Sequence, residues 1–290
     1  MILFPNAKVN LGLNIVRKRP DGYHDIETLF YPVKGLCDIL EVVATDGEGN
    51  TIEFTQTGIG IDCDTENNLC VKAYRLLAQR YGMPHVRMHL HKLIPIGAGM
   101  PHVRMHLHKL IPIGAGLGGG SADAAFALRA LNTFLDKPLS HENLLSMTLE
   151  LGSDCPFFVH NTPAIGRGRG EQLEPISINL TGYWILLVNP GIHVSTREAY
   201  EGSNPKPWKN PIGNIVNLPV SDWPNKLVND FEKTVFPKYP LIERVKEELY
   251  SMGAVYASMS GSGSTVFGIF KSKPVITDAF KGYFTHTSEM

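Results

Sequence analysis

Residues 111–125 read Ile-Pro-Ile-Gly-Ala-Gly-Leu-Gly-Gly-Gly-Ser-Ala-Asp-Ala-Ala, and no other stretch limits the fold so strongly. Five glycines fall between Gly114 and Gly120, with a β-type lead-in before them and an alanine-rich helical segment, Ala122 to Leu135, after them. Glycine permits positive φ and lets the backbone approach a ligand closely. Successive exposed N–H groups form an anion-binding nest, and a helix start adds the positive end of its dipole. The segment therefore predicts a strand, a phosphate cradle and a helix in succession. It is not a Walker loop, because Gly119-Gly120 runs into Ser121 without a lysine. Gly114, Gly116 and Gly119 fit the Gly-x-Gly-x-x-Gly dinucleotide spacing, but no acidic residue follows at a strand end ~20 residues on.

The lead-in carries a second oddity. Met100 to Gly116 repeats Met83 to Gly99 residue for residue. Two copies do not make a solenoid, which needs at least about three stacked units. Each copy contains His-Val-Arg-Met-His-Leu-His-Lys-Leu, whose alternation is that of a strand. Only the second copy runs on into the glycine loop, so Val103 to Leu110 is expected to hold the functional strand. The first copy is expected to be an excursion after the preceding helix, as a bulged-out hairpin. Six of the eleven histidines lie in the repeat. His89 and His91, or His106 and His108, share a strand face, which is weak metal-ligand spacing; an exposed polar face explains them better.

Elsewhere helices and strands mix without strict βαβ alternation, which favours an α+β fold. Lys8–Ile15, Asp38–Ala44 and the apolar Tyr183–Val188 read as strands. Leu69, Ala73, Leu76 and Leu77 share a helix face, which places a helix over Asn68–Tyr81 with Asn67 or Asn68 as its cap. Glu142–Leu151 and Leu241–Met252 read as helices, Ser203–Pro224 as a long loop, and Ala254–Phe270 as strands around a second glycine-serine loop. The turn at Asn161-Thr162-Pro163 suggests two domains, 1–162 and 163–290. A net charge of −1 without a basic block argues against a nucleic-acid partner. No apolar run approaches the ~20 residues of a membrane span. The N-terminus lacks a signal-peptide pattern, and the four cysteines show no CxxC pairing; reduced thiols and a cytoplasmic location are expected.

Pro112-x-Gly114-x-Gly116-Leu117-Gly118-Gly119-Gly120-Ser121-x-x-Ala124-Ala125 resembles the phosphate-binding motif of the GHMP small-molecule kinases. Pro5-Asn6-Ala7-Lys8-Val9-Asn10-Leu11 resembles their first motif, and Met259-Ser260-Gly261-Ser262-Gly263-Ser264-Thr265-Val266-Phe267 their third. Four further stretches narrow the likeness: Lys18-Arg19-Pro20-Asp21-Gly22-Tyr23-His24, Glu27-Thr28-Leu29-Phe30, Leu151 to Phe158, and Asn229-Asp230-Phe231-Glu232. They resemble the branch that phosphorylates a cytidine-diphosphate sugar alcohol in non-mevalonate isoprenoid synthesis. The likeness spans essentially the whole chain, and the duplicated 17 residues are its one departure.

The resemblance implies a two-domain α+β kinase with its active site in the cleft between an N-terminal ATP-binding, catalytic domain and a C-terminal substrate domain. ATP and Mg²⁺ are implied, with Pro112, Gly114, Gly116, Leu117, Gly118, Gly119, Gly120, Ser121, Asn68, Gly261 and Gly263 on the nucleotide. Ser121 is the implied metal contact, although capping explains Asn68 equally well. The 261–264 turn is expected to close the site near the phosphates. Asp154 is the implied general base, with Lys8 beside it favouring the ionised carboxylate. Ser153-Asp154-x-Pro156 also reads as a helix start, and Lys8 on its own as an exposed strand lysine. Tyr23 is expected to stack on a cytosine face and His24 to pair with its polar edge. Without the family a surface turn explains both. Tyr200 and Asn10 are further substrate contacts. Gly166-Arg167-Gly168-Arg169-Gly170 has too few arginines for an RNA-binding box and reads as a hairpin loop. A homoserine- or mevalonate-type kinase, or a ligand-binding homologue impaired by the duplication, remains an alternative. The expected partner is a small molecule, with neither nucleic acid nor membrane, and the expected state a monomer or homodimer.

Overall fold

The computed structural model describes residues 1–44, 51–60, 64–81 and 104–290. The first copy of the repeat, the start of the second and Cys63 lie outside these residues. In chain order the elements are β1 (Ile2–Leu3), β2 (Asn6–Lys18), β3 (His24–Cys37), β4 (Ile39–Val43), β5 (Glu53–Gly58), α1 (Leu69–Tyr81), β6 (Arg104–Lys109), α2 (Gly119–Asn132), α3 (His141–Leu151) and α4 (Cys155–His160). They continue with β7 (Ala164–Arg167), β8 (Gln172–Pro175), β9 (Trp184–Asn189), α5 (Thr196–Glu201), α6 (Ile212–Ile215), α7 (Glu232–Lys238), α8 (Pro240–Ser251), β10 (Tyr256–Met259), β11 (Val266–Phe270) and β12 (Phe284–Glu289). The class is α+β. No helix among the described residues is long and apolar enough to cross a membrane.

The described residues group into two compact units made of discontinuous segments. One contains residues 1–6, 37–113 and 119–161; the other contains 7–36, 114–118 and 162–290. The last passage of the chain from one unit to the other falls at Asn161-Thr162.

In the first unit one sheet has the order β1-β4-β6-β5. β6 is central, antiparallel to β4 (Leu40 opposite Leu107) and parallel to β5 (Gln56 opposite Leu107). Its alternation explains this place: Met105 and Leu107 are fully buried. On the other face His106 Nε2 and His108 Nδ1 both bond the Thr57 hydroxyl, at 3.1 and 2.8 Å. His106 is buried, contrary to the expected exposed face, and its ring nitrogens bond the Thr57 hydroxyl and the Thr55 carbonyl of neighbouring β5 at 3.1 and 3.2 Å. α2 packs against α1, α3 and α4. Ala122, Ala124, Ala125, Ala127 and Ala130 are buried around it, and their small side chains let three neighbours approach one helix.

α2 starts at Gly119, three residues before the expected Ala122, so that Gly119, Gly120 and Ser121 form its first turn. Glycine has poor helix propensity, and packing decides here. A Cβ at Gly119 would stand 2.9 Å from Lys109 Nζ and 3.0 Å from Ile111 Cγ2. α3 is capped by the Ser140 hydroxyl and ends at Gly152. α1 follows Asn68, whose Oδ1 accepts from the Cys70 amide at 2.9 Å.

The second unit contains two sheets, β2-β3-β7-β8 and β10-β11-β9-β12. α8 lays Ile242, Val245 and Leu249 on Ala257, Met259 and Val266, joined by Leu13 and Ile15 from β2. The stretch expected to be one long loop, 203–224, contains α6 and a 3-10 turn at Val220–Asp222. α6 is only four residues long, too short for hydrophobic periodicity to register.

Leu107→Ala should cost about 2–5 kcal/mol in urea unfolding, the usual range for a fully buried leucine. A cost below ~1 kcal/mol would mean that the second copy does not hold the central strand.

Candidate active site

The glycine loop rests on close backbone contact. Gly114, Gly116 and Gly118 have φ of +63°, +76° and +69°, a region that side chains disfavour. A Cβ at Gly116 would stand 1.9 Å from the Ser260 carbonyl oxygen, so only glycine fits. The Gly116 carbonyl accepts from the Ser260 hydroxyl at 2.8 Å and from Lys8 Nζ at 3.2 Å. The Lys8 amide donates to the Leu117 carbonyl at 2.9 Å, and the Thr265 amide to the Ala115 carbonyl at 3.3 Å. Residues 114–118 are thus held by β2 and by the β10–β11 turn. Gly261, at φ +55°, brings its own Cβ position within 3.4 Å of both Gly116 Cα and Asn10 Oδ1. Gly263, at φ +93°, faces the Met259 sulfur.

Lys8 is buried, not an exposed strand lysine. Its Nζ donates to Asn10 Oδ1 at 2.6 Å and lies 5.3 Å from the Phe30 ring centre. Asn10 Nδ2 donates to the Thr28 hydroxyl at 2.9 Å, and Thr28 donates onward to the Gly12 carbonyl at 2.6 Å. The Asn10 amide donates to Ser260 Oγ at 3.2 Å. Asn229 Nδ2 holds the 259–261 turn, donating to the Met259 and Gly261 carbonyls, both at 2.8 Å. The chain therefore brings Lys8, Asn10, Gly116 and Gly261 together. Thr28, Ser260 and Asn229 complete this network; each stands within a motif, but its part in the site comes from partners distant in sequence.

Asn229-Asp230-Phe231-Glu232 proves to be a scaffold. Glu232 Oε1 accepts from the Met259 amide at 2.8 Å, and its Oε2 from Lys246 Nζ at 2.6 Å. Asp230 Oδ2 accepts from Asn14 Nδ2 at 2.8 Å and the Ile15 amide at 3.0 Å. Burial opposes Asp230 ionisation, but bonds from Lys233, Asn14 and the Ile15 amide hold its pKa below the ordinary aspartate value.

Tyr200 stacks face to face on His24, with ring centres 4.5 Å apart and planes 12° from parallel, and presents its edge to Phe231 at 4.7 Å. Burial, and then the charge of Lys18, lower the His24 pKa, which favours the neutral ring with one donor and one acceptor nitrogen. Tyr23, expected to stack on a cytosine face, lies against Arg169. The residue is 54% exposed, and its ring centre lies 4.3 Å from the Arg169 guanidinium. The β7–β8 hairpin carries that arginine and is anchored through the Ile26 amide, which donates to the Gly168 carbonyl at 2.7 Å.

In the first unit Asp154 precedes α4 at the capping position, with proline in the first turn, but its side chain makes no capping bond. The Ser121 hydroxyl bonds the Cys155 thiol, whose pKa burial pushes up to about 12 despite that bond. Among the described residues no group of three or more His, Cys, Asp and Glu side chains could hold a metal ion. The donor at the start of α2 is the Ser121 hydroxyl, which suits Mg²⁺ carried mainly by phosphate oxygens.

Comparison with known proteins fits this arrangement. Residues 101–162 match the GHMP kinases N terminal domain, and residues 220–281 match the GHMP kinases C terminal domain. The chain belongs to the GHMP kinase family. It is 47% identical to the 4-diphosphocytidyl-2-C-methyl-D-erythritol kinase of Parabacteroides distasonis, over 97% of each chain. It is 48% identical to the Cytophaga hutchinsonii kinase of the same name, over 94% of each. A crystal structure of 4-(cytidine 5'-diphospho)-2C-methyl-D-erythritol kinase superposes with a TM-score of 0.74 at 31% identity, covering 92% of this chain and 89% of that one. Homoserine kinase from Cytophaga hutchinsonii, at 15% identity and a TM-score of 0.64, shares the fold.

Gly116→Ala meets both a carbonyl oxygen and a positive φ, whereas Gly182→Ala meets only the positive φ, with nothing within 4 Å. Urea unfolding should show ~1–2 kcal/mol for Gly182→Ala and at least ~1–3 kcal/mol more for Gly116→Ala. Equal losses would refute the close-contact account of the loop.

Proposed function

We propose that this chain transfers the γ-phosphoryl group of ATP to the 2-hydroxyl of 4-diphosphocytidyl-2-C-methyl-D-erythritol, in the non-mevalonate route to isoprenoid precursors. The observation that carries the reading is near-full-length identity of 47% to a kinase named for that substrate. The Lys8–Asn10–Gly116–Ser260 network supports it, because it joins the stretches that hold phosphates and acceptor in this class of reaction.

In this reading the 114–121 backbone amides and the start of α2 receive the triphosphate, with Pro112, Leu117, Asn68, Gly261 and Gly263 around the nucleotide. The Ser121 hydroxyl would help to hold a phosphate-bound Mg²⁺, which would supply charge neutralisation for the transferring group. Asp154 accepts the proton of the acceptor hydroxyl as its oxygen bonds the γ-phosphorus and the bond to ADP breaks. Transfer is direct and in line, without a phospho-enzyme. Lys8 favours the ionised carboxylate and orients the hydroxyl. Asn10, Tyr23, His24 and Tyr200 hold the substrate, the two ring nitrogens of neutral His24 meeting the polar edge of cytosine. The protein is a monomer or homodimer in this reading, and a cytoplasmic location suits cysteines outside disulfides at Cys37, Cys70 and Cys155.

A coupled ADP-release assay should show turnover with the cytidine substrate, and none above background with homoserine or mevalonate. Asp154→Asn and Lys8→Met should each lower kcat by ~10²–10⁴, the span of general acid–base catalysis. Turnover with homoserine or mevalonate alone would sink the substrate assignment, and near-full activity of Asp154→Asn would sink that of the base. Deleting either copy of the repeat gives one and the same shorter chain, the natural control for impairment by the duplication.

A further inference from the structure

The ATP-binding reading gives no work to Lys109, Asp38 and Asp123, yet they form one buried polar cluster. Lys109 is the last residue of β6, Asp38 lies between β3 and β4, and Asp123 lies one turn into α2. Their side chains are 2%, 0% and 3% exposed. Lys109 Nζ bonds Asp38 Oδ2 and donates to Asp123 Oδ2 at 2.9 Å. Asp38 Oδ1 accepts the Leu110 and Ile111 amides, the latter at 2.8 Å. A Cβ on Gly119 would stand 2.9 Å from the same ammonium, so the first turn of α2 lies directly on it.

The cluster therefore grips both stems of the phosphate loop. Asp38 fixes Leu110 and Ile111 immediately before Pro112. Lys109 and Asp123 fix the turn of α2 immediately after Gly118. Glycine-rich segments lose the most conformational freedom on ordering, and a binding loop whose ends are already set loses less. Burial pushes the Asp123 carboxyl up to about 7 against the pull of Lys109, with Asp38 adding to the rise. Its Oδ1 has no hydrogen-bond partner among the described residues. Asp123 Oδ2 holds the ammonium beside the first turn of α2.

Resting on the kinase reading above, we propose that Lys109, Asp38 and Asp123 are positioning residues that pre-set the glycine loop for the nucleotide phosphates. The effect is on ATP affinity, not on the chemical step or on the cytidine substrate. Asp123→Ala removes the hold on α2 and should raise the KM for ATP tenfold or more. Its kcat at saturating ATP and its KM for the cytidine substrate should stay within about twofold of wild type. Asp123→Asn keeps an oxygen for Lys109 and should restore most of the ATP affinity. If Asp123→Ala is insoluble, Asp123→Ser, too short to reach the ammonium, carries the same expectation. An unchanged KM for ATP with a lowered Tm would make the cluster a stability element only, and equal rises in both KM values would make it a general support. Either result overturns the proposal. Calorimetric binding of a non-hydrolysable ATP analogue, without acceptor, reads the same effect independently of the substrate assignment. Wild-type protein that fails to bind the analogue would instead refute the kinase reading.

Discussion

The approach of two backbones at Gly116 and Ser260 is the contact on which the rest of the arrangement depends. The Ser260 carbonyl oxygen occupies the space where any other residue at 116 would place its Cβ. With the backbones this close, the Ser260 hydroxyl reaches the Gly116 carbonyl, and Lys8 can donate to that carbonyl and to Asn10 at once. Removing that proximity would cost the buried Lys8 ammonium its bond to the Gly116 carbonyl, a loss that a folded chain tolerates poorly. Along the chain Lys8 stands among small or apolar residues, and its Nζ donates to the Asn10 side-chain oxygen and to the Gly116 carbonyl.

Much of this was legible in the residues. Glycines at alternate positions, an alanine-rich continuation and a lysine within an apolar strand are local signals, and motif resemblance assigned them to one machine. The partners were not legible. Thr28, Ser260 and Asn229 are common polar residues whose importance lies in what they bond. The Ser260 bond to Gly116 spans 144 positions, and that of Lys109 to Asp38 spans 71. Neither periodicity nor spacing encodes pairings of that range. Asp123 illustrates the limit: it stands inside the most conspicuous motif of the chain, yet reads there as one more polar residue on a helix.

Propensity misled in one instructive place. Gly119 and Gly120 argue against helix, so the sequence places the helix start at Ala122, whereas α2 begins at Gly119. The first turn needs a residue without a side chain because Lys109 and Ile111 lie beneath it. The same glycine that weakens the helix in isolation allows the charged cluster to be buried under it. Tertiary packing then offsets the lost propensity.

The duplication can be read through the same constraint. Both copies have identical strand-forming residues, so neither local propensity nor burial of the apolar face distinguishes them. Seventeen extra residues in a connection add little closure entropy, because that term grows only with the logarithm of length. What separates the copies is what comes next. A strand built on 87–92 would be followed by Pro95 to Gly99 and then by Met100, with no Leu117-Gly-Gly-Gly-Ser121 and no α2. A strand built on 104–109 delivers Lys109 to Asp38 and Asp123, and Gly116 to Ser260, within a dozen residues of continuous chain. The second copy is selected by connectivity: only there do strand, loop and helix follow one another closely enough for both contacts to form.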